Sequence, residues 1–231
     1  MLTTGPGPQL SLPPAGGGIV LDDVWVDHDG VDALRGVSAR IHPHCITAVA
    51  GPNGSGKSTL LGVLAGILPP RSGGVSLPHR RSTALVVQRS EVPDRIPLTV
   101  RDVVAMGRWA DVGLWRRLRR TDQVIIDDCI GLVGLDGYRG RPLHALSGGQ
   151  RQRAFLAQGL ARQADLVLLD EPTTGLDSSS RAVVTEVLAA EKSRGATVVC
   201  VSHDDVALRA ADHLLRLDAG CVVTGPGTAG S

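Results

Sequence analysis

Nine consecutive residues, Gly51-Pro52-Asn53-Gly54-Ser55-Gly56-Lys57-Ser58-Thr59, have the types and spacing needed to hold a polyphosphate. The run satisfies G-x-x-x-x-G-K-[ST] at every required position. Polyphosphate carries several negative charges, and a ring of backbone N–H groups at a helix start holds it with least obstruction. Glycines at 51, 54 and 56 permit that approach. Lys57 puts a mobile ammonium on the outer phosphates, and Ser58, read as the first residue of the following helix, offers a hydroxyl to Mg²⁺. Lys57 and Lys192 are the only lysines of the chain, and a compact point charge suits this position better than a planar guanidinium. ATP or GTP is the expected ligand, lined by residues 51 to 59.

A pair of carboxylates, Asp170-Glu171, follows the apolar run Leu166-Val167-Leu168-Leu169. Asp170 would hold Mg²⁺ through its water shell, while Glu171 would orient and deprotonate an attacking water. A second apolar run, Thr197-Val198-Val199-Cys200-Val201, leads into Ser202-His203-Asp204-Asp205. It delivers His203 to the same edge as Glu171, where an imidazole can hydrogen-bond a γ-phosphate.

The elements that must position these groups are parallel strands. Ile46-Thr47-Ala48-Val49-Ala50, the run at 166 and the run at 197 are short and almost wholly apolar, as expected of strands buried on both faces with the ligand at their carboxyl ends. Leu146-Ser147-Gly148-Gly149-Gln150 opens a helix. Ser147 is the expected N-cap with Gln150 three residues on, a capping-box spacing, and Ala154, Ala157, Leu160 and Ala161 recur behind it at helical intervals. Two glycines in the first turn cost helix stability but leave N–H groups bare at the positive end of the dipole, a second phosphate-binding surface.

The phosphate loop, the Asp-Glu pair and the Ser147-Gly148-Gly149-Gln150 signature together resemble the ATP-binding-cassette family. The resemblance implies an α/β fold: a P-loop NTPase cassette with a RecA-like parallel-sheet core, an antiparallel β subdomain and an α-helical insert. It implies that two copies pair head to tail, each ATP lying between the P-loop of one and the signature of the other. It makes His203 the switch histidine and Thr174-Gly175-Leu176-Asp177 the D-loop at that interface, although Thr174-Gly175 departs from the commoner Ser-Ala. Gln88 becomes the glutamine whose amide touches Mg²⁺, and His28 falls where an aromatic commonly stacks on adenine. Trp25 lies an odd number of residues from His28 and so faces the other side of a strand.

The insert carries a further likeness. Gln88-Arg89-Ser90, Thr99-Val100-Arg101-Asp102-Val103-Val104, Met106-Gly107-Arg108 and Trp115-Arg116-Arg117 resemble cassettes serving manganese, zinc and iron-chelate importers. That implies an ATPase beneath a separate membrane permease, fed by an extracytoplasmic metal-binding protein, with Arg108 and Trp109 among the residues reaching the permease. The alternatives are import of an iron-siderophore or cobalamin, and a soluble cassette ATPase of DNA repair, translation or cluster assembly. The last class normally carries a coiled-coil insertion or a tandem second cassette.

The 231 residues suffice for one substantial core. We expect a cassette over 19–224 with a helical insert at about 90–163, a disordered segment over 1–18 and a flexible tail over 225–231. A net charge of +1 without a lysine-rich cluster disfavours nucleic acid as a partner. No apolar stretch approaches the roughly 18 residues of a spanning helix, so a cytosolic subunit peripheral to the membrane is expected. The four cysteines form no C-x-x-C pair, and two lie on expected core strands, which suits reduced thiols. His42-Pro43-His44-Cys45 is better explained by a turn at Pro43 than by a metal cage.

Overall fold

The computed structural model describes residues 17–77, 82–87, 97–113 and 117–223. Readings made above for residues 1–16, for Gln88, Arg89 and Ser90, for Trp115 and Arg116, and for 225–231 lie outside them.

The chain begins with β1 (Ile19–His28) and β2 (Val31–Ile41), an antiparallel pair joined at Asp29-Gly30, a residue pair favoured in two-residue hairpins. Val24 and Val26 of β1 are buried. Trp25 between them turns to the opposite face, with the Arg71 guanidinium 5.9 Å from its ring centroid. The central strand β3 (Ile46–Ala50) runs into the phosphate loop and α1 (Lys57–Leu64), after which β4 (Ser72–Ser76) returns to β1 and completes a three-stranded sheet in the order β2-β1-β4. Pro43 and His44 occupy a turn before β3. The His42 ring stacks on His213 at 4.3 Å, and His44 Nδ1 contacts the Gly195 carbonyl.

Next come β5 (Thr83–Val86) and the helices α2 (Val100–Met106), α3 (Trp109–Val112), α4 (Arg120–Leu132) and α5 (Gly148–Ala161). The remainder alternates: β6 (Leu166–Asp170), α6 (Ser178–Ser193), β7 (Thr197–Val201), α7 (Asp205–Arg209), β8 (His213–Asp218) and β9 (Cys221–Val222). The larger sheet has the order β5-β6-β7-β3-β8-β9. Its first five strands are parallel, and β9 turns back against β8.

Residues 166 to 169 are apolar without a break because this sheet separates two cores. Val167 and Leu169 face the insert helices and α6, whereas Leu166 and Leu168 face α1 and the small sheet. In β7, Val198 and Cys200 take the first side and Val199 and Val201 the second. Each such side chain contributes about 1.5–3 kcal/mol by leaving water. Burial also pushes the thiols of Cys129 and Cys200 up to about 12, which keeps them as unreactive thiols.

The insert is held together by charge as well as by apolar packing. Arg108 Nε donates to Asp122 Oδ1 at 3.0 Å, and its NH1 donates to the Ala161 carbonyl at 3.0 Å, tying the end of α2 to α4 and α5. The two side chains of the pair are only 11% and 5% exposed. Arg108 is thus an internal brace, which corrects its reading as a docking residue: the motif Met106-Gly107-Arg108 did not reveal the carboxylate it reaches fourteen positions on. Trp109 is 40% exposed.

Candidate functional site

The phosphate loop leaves the carboxyl end of β3 at the centre of the sheet. A Cβ on Gly51 would lie 2.1 Å from the Leu217 carbonyl of β8, and one on Gly56, at φ +96°, would lie 2.5 Å from the Ala33 carbonyl of β2. These glycines therefore let the loop pack against its walls. Around Gly54, by contrast, an added Cβ meets nothing within 4 Å, leaving that part of the loop open to a ligand. The helix α1 starts at Lys57 rather than Ser58, one residue earlier than expected. Lys57 Nζ, largely buried, donates to the Gly51 and Pro52 carbonyls at 2.8 Å each. These two contacts fold the ammonium back over the loop it would share with a phosphate.

Asp170 ends β6, and its carboxylate accepts a hydrogen bond from the Ser58 hydroxyl. Burial pushes this carboxyl above the usual carboxylate range, and the neighbouring Glu171 charge adds to the effect; Ser58 and Lys57 pull the other way. The hydroxyl and the carboxylate are both hard oxygen donors, the set that suits Mg²⁺.

Glu171 leaves the strand in a left-handed conformation, φ +48°, uncommon for a residue with a side chain. Its N–H donates to the Val201 carbonyl at 3.0 Å, continuing the ladder to β7. Its Oε2 accepts from the Thr174 hydroxyl at 2.9 Å, and its Oε1 stands 3.6 Å from His203 Nδ1. The adjacency of Glu171 and His203 expected from two parallel strands is therefore found. Neither the backbone turn nor the Thr174 contact was visible in the motif.

His28, at the end of β1, reaches the same region. Its Nε2 lies 3.2 Å from Thr59 Oγ1 of α1, which puts the ring beside the phosphate loop and on the face opposite Trp25. The signature forms the expected cap: Gln150 N–H donates to Ser147 Oγ at 3.3 Å, and Ser147 N–H to Gln150 Oε1 at 3.0 Å. Among the described residues no hydrogen bond joins Ser147, Gly148, Gly149 or Gln150 to the phosphate loop. The nearest atoms beside Gly149 belong instead to Leu176 and Ser180.

Asp177 caps α6. Its Oδ1 accepts from Ser180 N–H at 2.8 Å and from the Ser179 hydroxyl at 3.0 Å. The backbone hydrogen bond from Ser180 and the hydroxyls of Ser180 and Ser179 hold its carboxyl below the usual range. Three further links went unread in the sequence because each joins segments far apart. Gln152 Nε2 of α5 donates to the Pro172 carbonyl at 2.9 Å. Arg181 donates to the Leu176 carbonyl at 3.1 Å and pairs with Asp204 at 3.4 Å. Thr173 Oγ1 lies 3.5 Å from Ser202 Oγ.

Residues 34–174 match the family described as ABC transporter, a span that runs from β2 through the phosphate loop and signature to the Thr174 turn. The chain belongs to the ABC transporter family. It is an ATP-binding, ATP-hydrolysing cassette of that family. It is 35% identical over 192 residues to the manganese transport system ATP-binding protein MntB of Bacillus subtilis (strain 168), covering 80% of this chain and 77% of the relative. Over 192 residues it is 38% identical to the zinc transport system ATP-binding protein TroB of Treponema pallidum (strain Nichols), covering 80% and 72%. The cassette also superposes on an inward-facing ABC transporter provisionally assigned to the metal-chelate type, with TM-score 0.80 and 28% identity over 91% of this chain and 83% of that one. Among the described residues no helix is long and apolar enough to cross a membrane.

Proposed function

We propose that this cassette powers the import of a transition metal, zinc or manganese, through a separate membrane permease. The observation that carries the reading is the likeness, over four-fifths of the chain, to ATP-binding proteins named for manganese and zinc transport. The subunit lies at the cytoplasmic face, its cassette spanning 19–224, and receives metal indirectly from an extracytoplasmic binding protein.

ATP enters with its phosphates on the loop 51–59 and its base beside His28. Lys57 exchanges the Gly51 and Pro52 carbonyls for phosphate oxygens. Ser58, Asp170 and Gln88 would hold Mg²⁺, which when bound neutralises charge on the phosphates. Glu171 takes a proton from water as the water oxygen bonds to the γ-phosphorus, and the bond from that phosphorus to the β–γ bridging oxygen breaks. His203 hydrogen-bonds the γ-phosphate. Two cassettes act as a head-to-tail pair, Ser147, Gly148, Gly149 and Gln150 of each lying on the other's ATP, with Asp177 at the interface.

A groove supports the permease contact. A cavity of about 210 Å³ opens between β5, α2 and α5, lined by Val86, Val87, Met106, Phe155, Gln158 and Arg162. Its aromatic, thioether and aliphatic side chains together with Gln158 and Arg162 suit an amphipathic segment of another subunit, and Trp109 opens α3 just beyond the end of α2.

The cargo is tested by ATPase activity of the assembled transporter in liposomes. Binding protein loaded with zinc or manganese should raise turnover above that with empty binding protein. Stimulation by a ferric-siderophore complex alone would establish iron-chelate import instead, and indifference to every membrane partner would point to a soluble cassette ATPase.

A further inference from the structure

The Glu171 carboxylate is gripped on one oxygen and left open on the other. Oε2 accepts from the Thr174 hydroxyl at 2.9 Å, while Oε1 faces His203 Nδ1 at 3.6 Å, beyond a normal hydrogen bond. In this bond the Thr174 hydroxyl donates and the carboxylate oxygen accepts. Thr174 is also bound through its backbone, its N–H donating to the Glu171 carbonyl at 3.2 Å. The two residues thus close a tight turn that includes the left-handed backbone of Glu171.

We propose that Thr174 is a positioning residue for ATP hydrolysis, its hydroxyl fixing Oε2 of Glu171 so that Oε1 is presented to the attacking water. This rests on the reading of Glu171 as the general base. The Glu171 side chain is half-buried, 18% exposed, yet it still has three torsions to fix, and a base must come within about 2.6–3.2 Å of the proton it removes. Threonine suits the task because branching at Cβ restricts χ1 and so aims the hydroxyl.

The anchor is itself anchored. Thr173 lies against Ser202, whose Oγ accepts from Asp204 N–H at 3.0 Å. Arg181 joins the Leu176 carbonyl to Asp204. The Thr173–Leu176 segment is therefore fixed on the loop that carries His203, and Thr174 holds Glu171 in register with that histidine. A reacting group kept in place by a supporting hydrogen bond loses rate, not affinity, when the support goes.

The test uses the full chain with MgATP. Thr174→Val keeps the branched shape and removes the hydroxyl; Thr174→Ser keeps the hydroxyl and removes the methyl. We expect valine to lower kcat by roughly ten- to a hundredfold, with KM and equilibrium ATP affinity unchanged, and serine to restore most of the loss. In a Glu171→Gln background the valine change should add nothing further. Wild-type kcat in the valine variant, equal loss in valine and serine variants, or a rise in KM at constant kcat would each overturn the proposal. Wild-type turnover by Glu171→Gln alone would remove the base assignment and this inference with it, whereas a dead Glu171→Gln beside a fully active Thr174→Val removes only the inference. Should the valine variant melt early, Thr174→Ala carries the same comparison.

Discussion

The Ser58 hydroxyl is hydrogen-bonded to the Asp170 carboxylate, joining α1 to the end of β6 across the mouth of the phosphate loop. That single bond does not offset what burial costs the charge, so the carboxyl stays raised. A group raised in the folded state contributes stability below its unfolded value, about 3.9, and loses it as pH rises through the folded value. At neutral pH the nucleotide-free protein therefore carries Asp170 at a cost. Asp170→Asn should raise the melting temperature of the nucleotide-free chain at pH 7 and nearly abolish Mg²⁺-dependent hydrolysis. Thermal melts at pH 4 and 7 check it: the advantage of the variant should shrink toward the acid side.

Glu171→Gln should retain ATP binding and lower hydrolysis by roughly 10² to 10⁴, the usual contribution of a general base. ATP-bound pairs should then accumulate and be visible by size exclusion in MgATP.

Changes in the signature should act on the partner's nucleotide. Ser147→Ala removes a cap and should cost about 1 kcal/mol of stability, leave ATP affinity of the single cassette unchanged, and block ATP-driven pairing. Mixing Lys57→Ala with Gly149→Asp should rebuild at most one intact composite site per pair, read as partial recovery of ATPase activity. Recovery to the wild-type level would count against the trans arrangement.

Arg108 and Trp109 are neighbours with opposite fates. Arg108→Met leaves the buried Asp122 carboxylate without its paired guanidinium, the Arg119 N–H remaining as its donor among the described residues, and should destabilise by about 3 kcal/mol, the low end for breaking a buried pair. The Arg119 backbone N–H and Arg108 hold that carboxyl below the usual range, so its contribution is present above the unfolded value and lost as pH falls through the lowered one. Denaturant titrations should show the wild-type advantage vanishing in acid. Trp109→Ala should leave stability and basal hydrolysis near wild type and remove only the stimulation by the membrane partner.

The strands at 46–50 and 197–201 stand where their apolar runs put them, because a strand buried on both faces needs no alternation to be recognised. The signature cap was equally plain, since its partners lie three residues apart. The pieces that escaped notice are those whose meaning comes from distant contacts. Along β8, His213-Leu214-Leu215-Arg216 is mostly exposed or half-buried, so its residues give no clear period even though the strand flanks β3. The third strand of the small sheet, Ser72-Gly73-Gly74-Val75-Ser76, reads as a loop by composition and becomes a strand only because β1 offers it an open edge. The backbone of Glu171 is set by a ladder bond to Val201 and a turn to Thr174, neither of which any local pattern announces.

The wall of the phosphate loop has a consequence for biosynthesis. Gly51 abuts the Leu217 carbonyl, Gly220 N–H donates to the Ser55 carbonyl at 3.2 Å, and the Gly220 carbonyl accepts from Arg35 N–H at 2.8 Å. The residues proposed to bind phosphate are thus translated well before the residues that hold them in shape. At the usual pace of a ribosome the interval is on the order of ten seconds. A nascent cassette emerging into a cytosol full of ATP consequently has its nucleotide motif long before it has a nucleotide site, and capture of ATP becomes a report that the β8–β9 hairpin has docked.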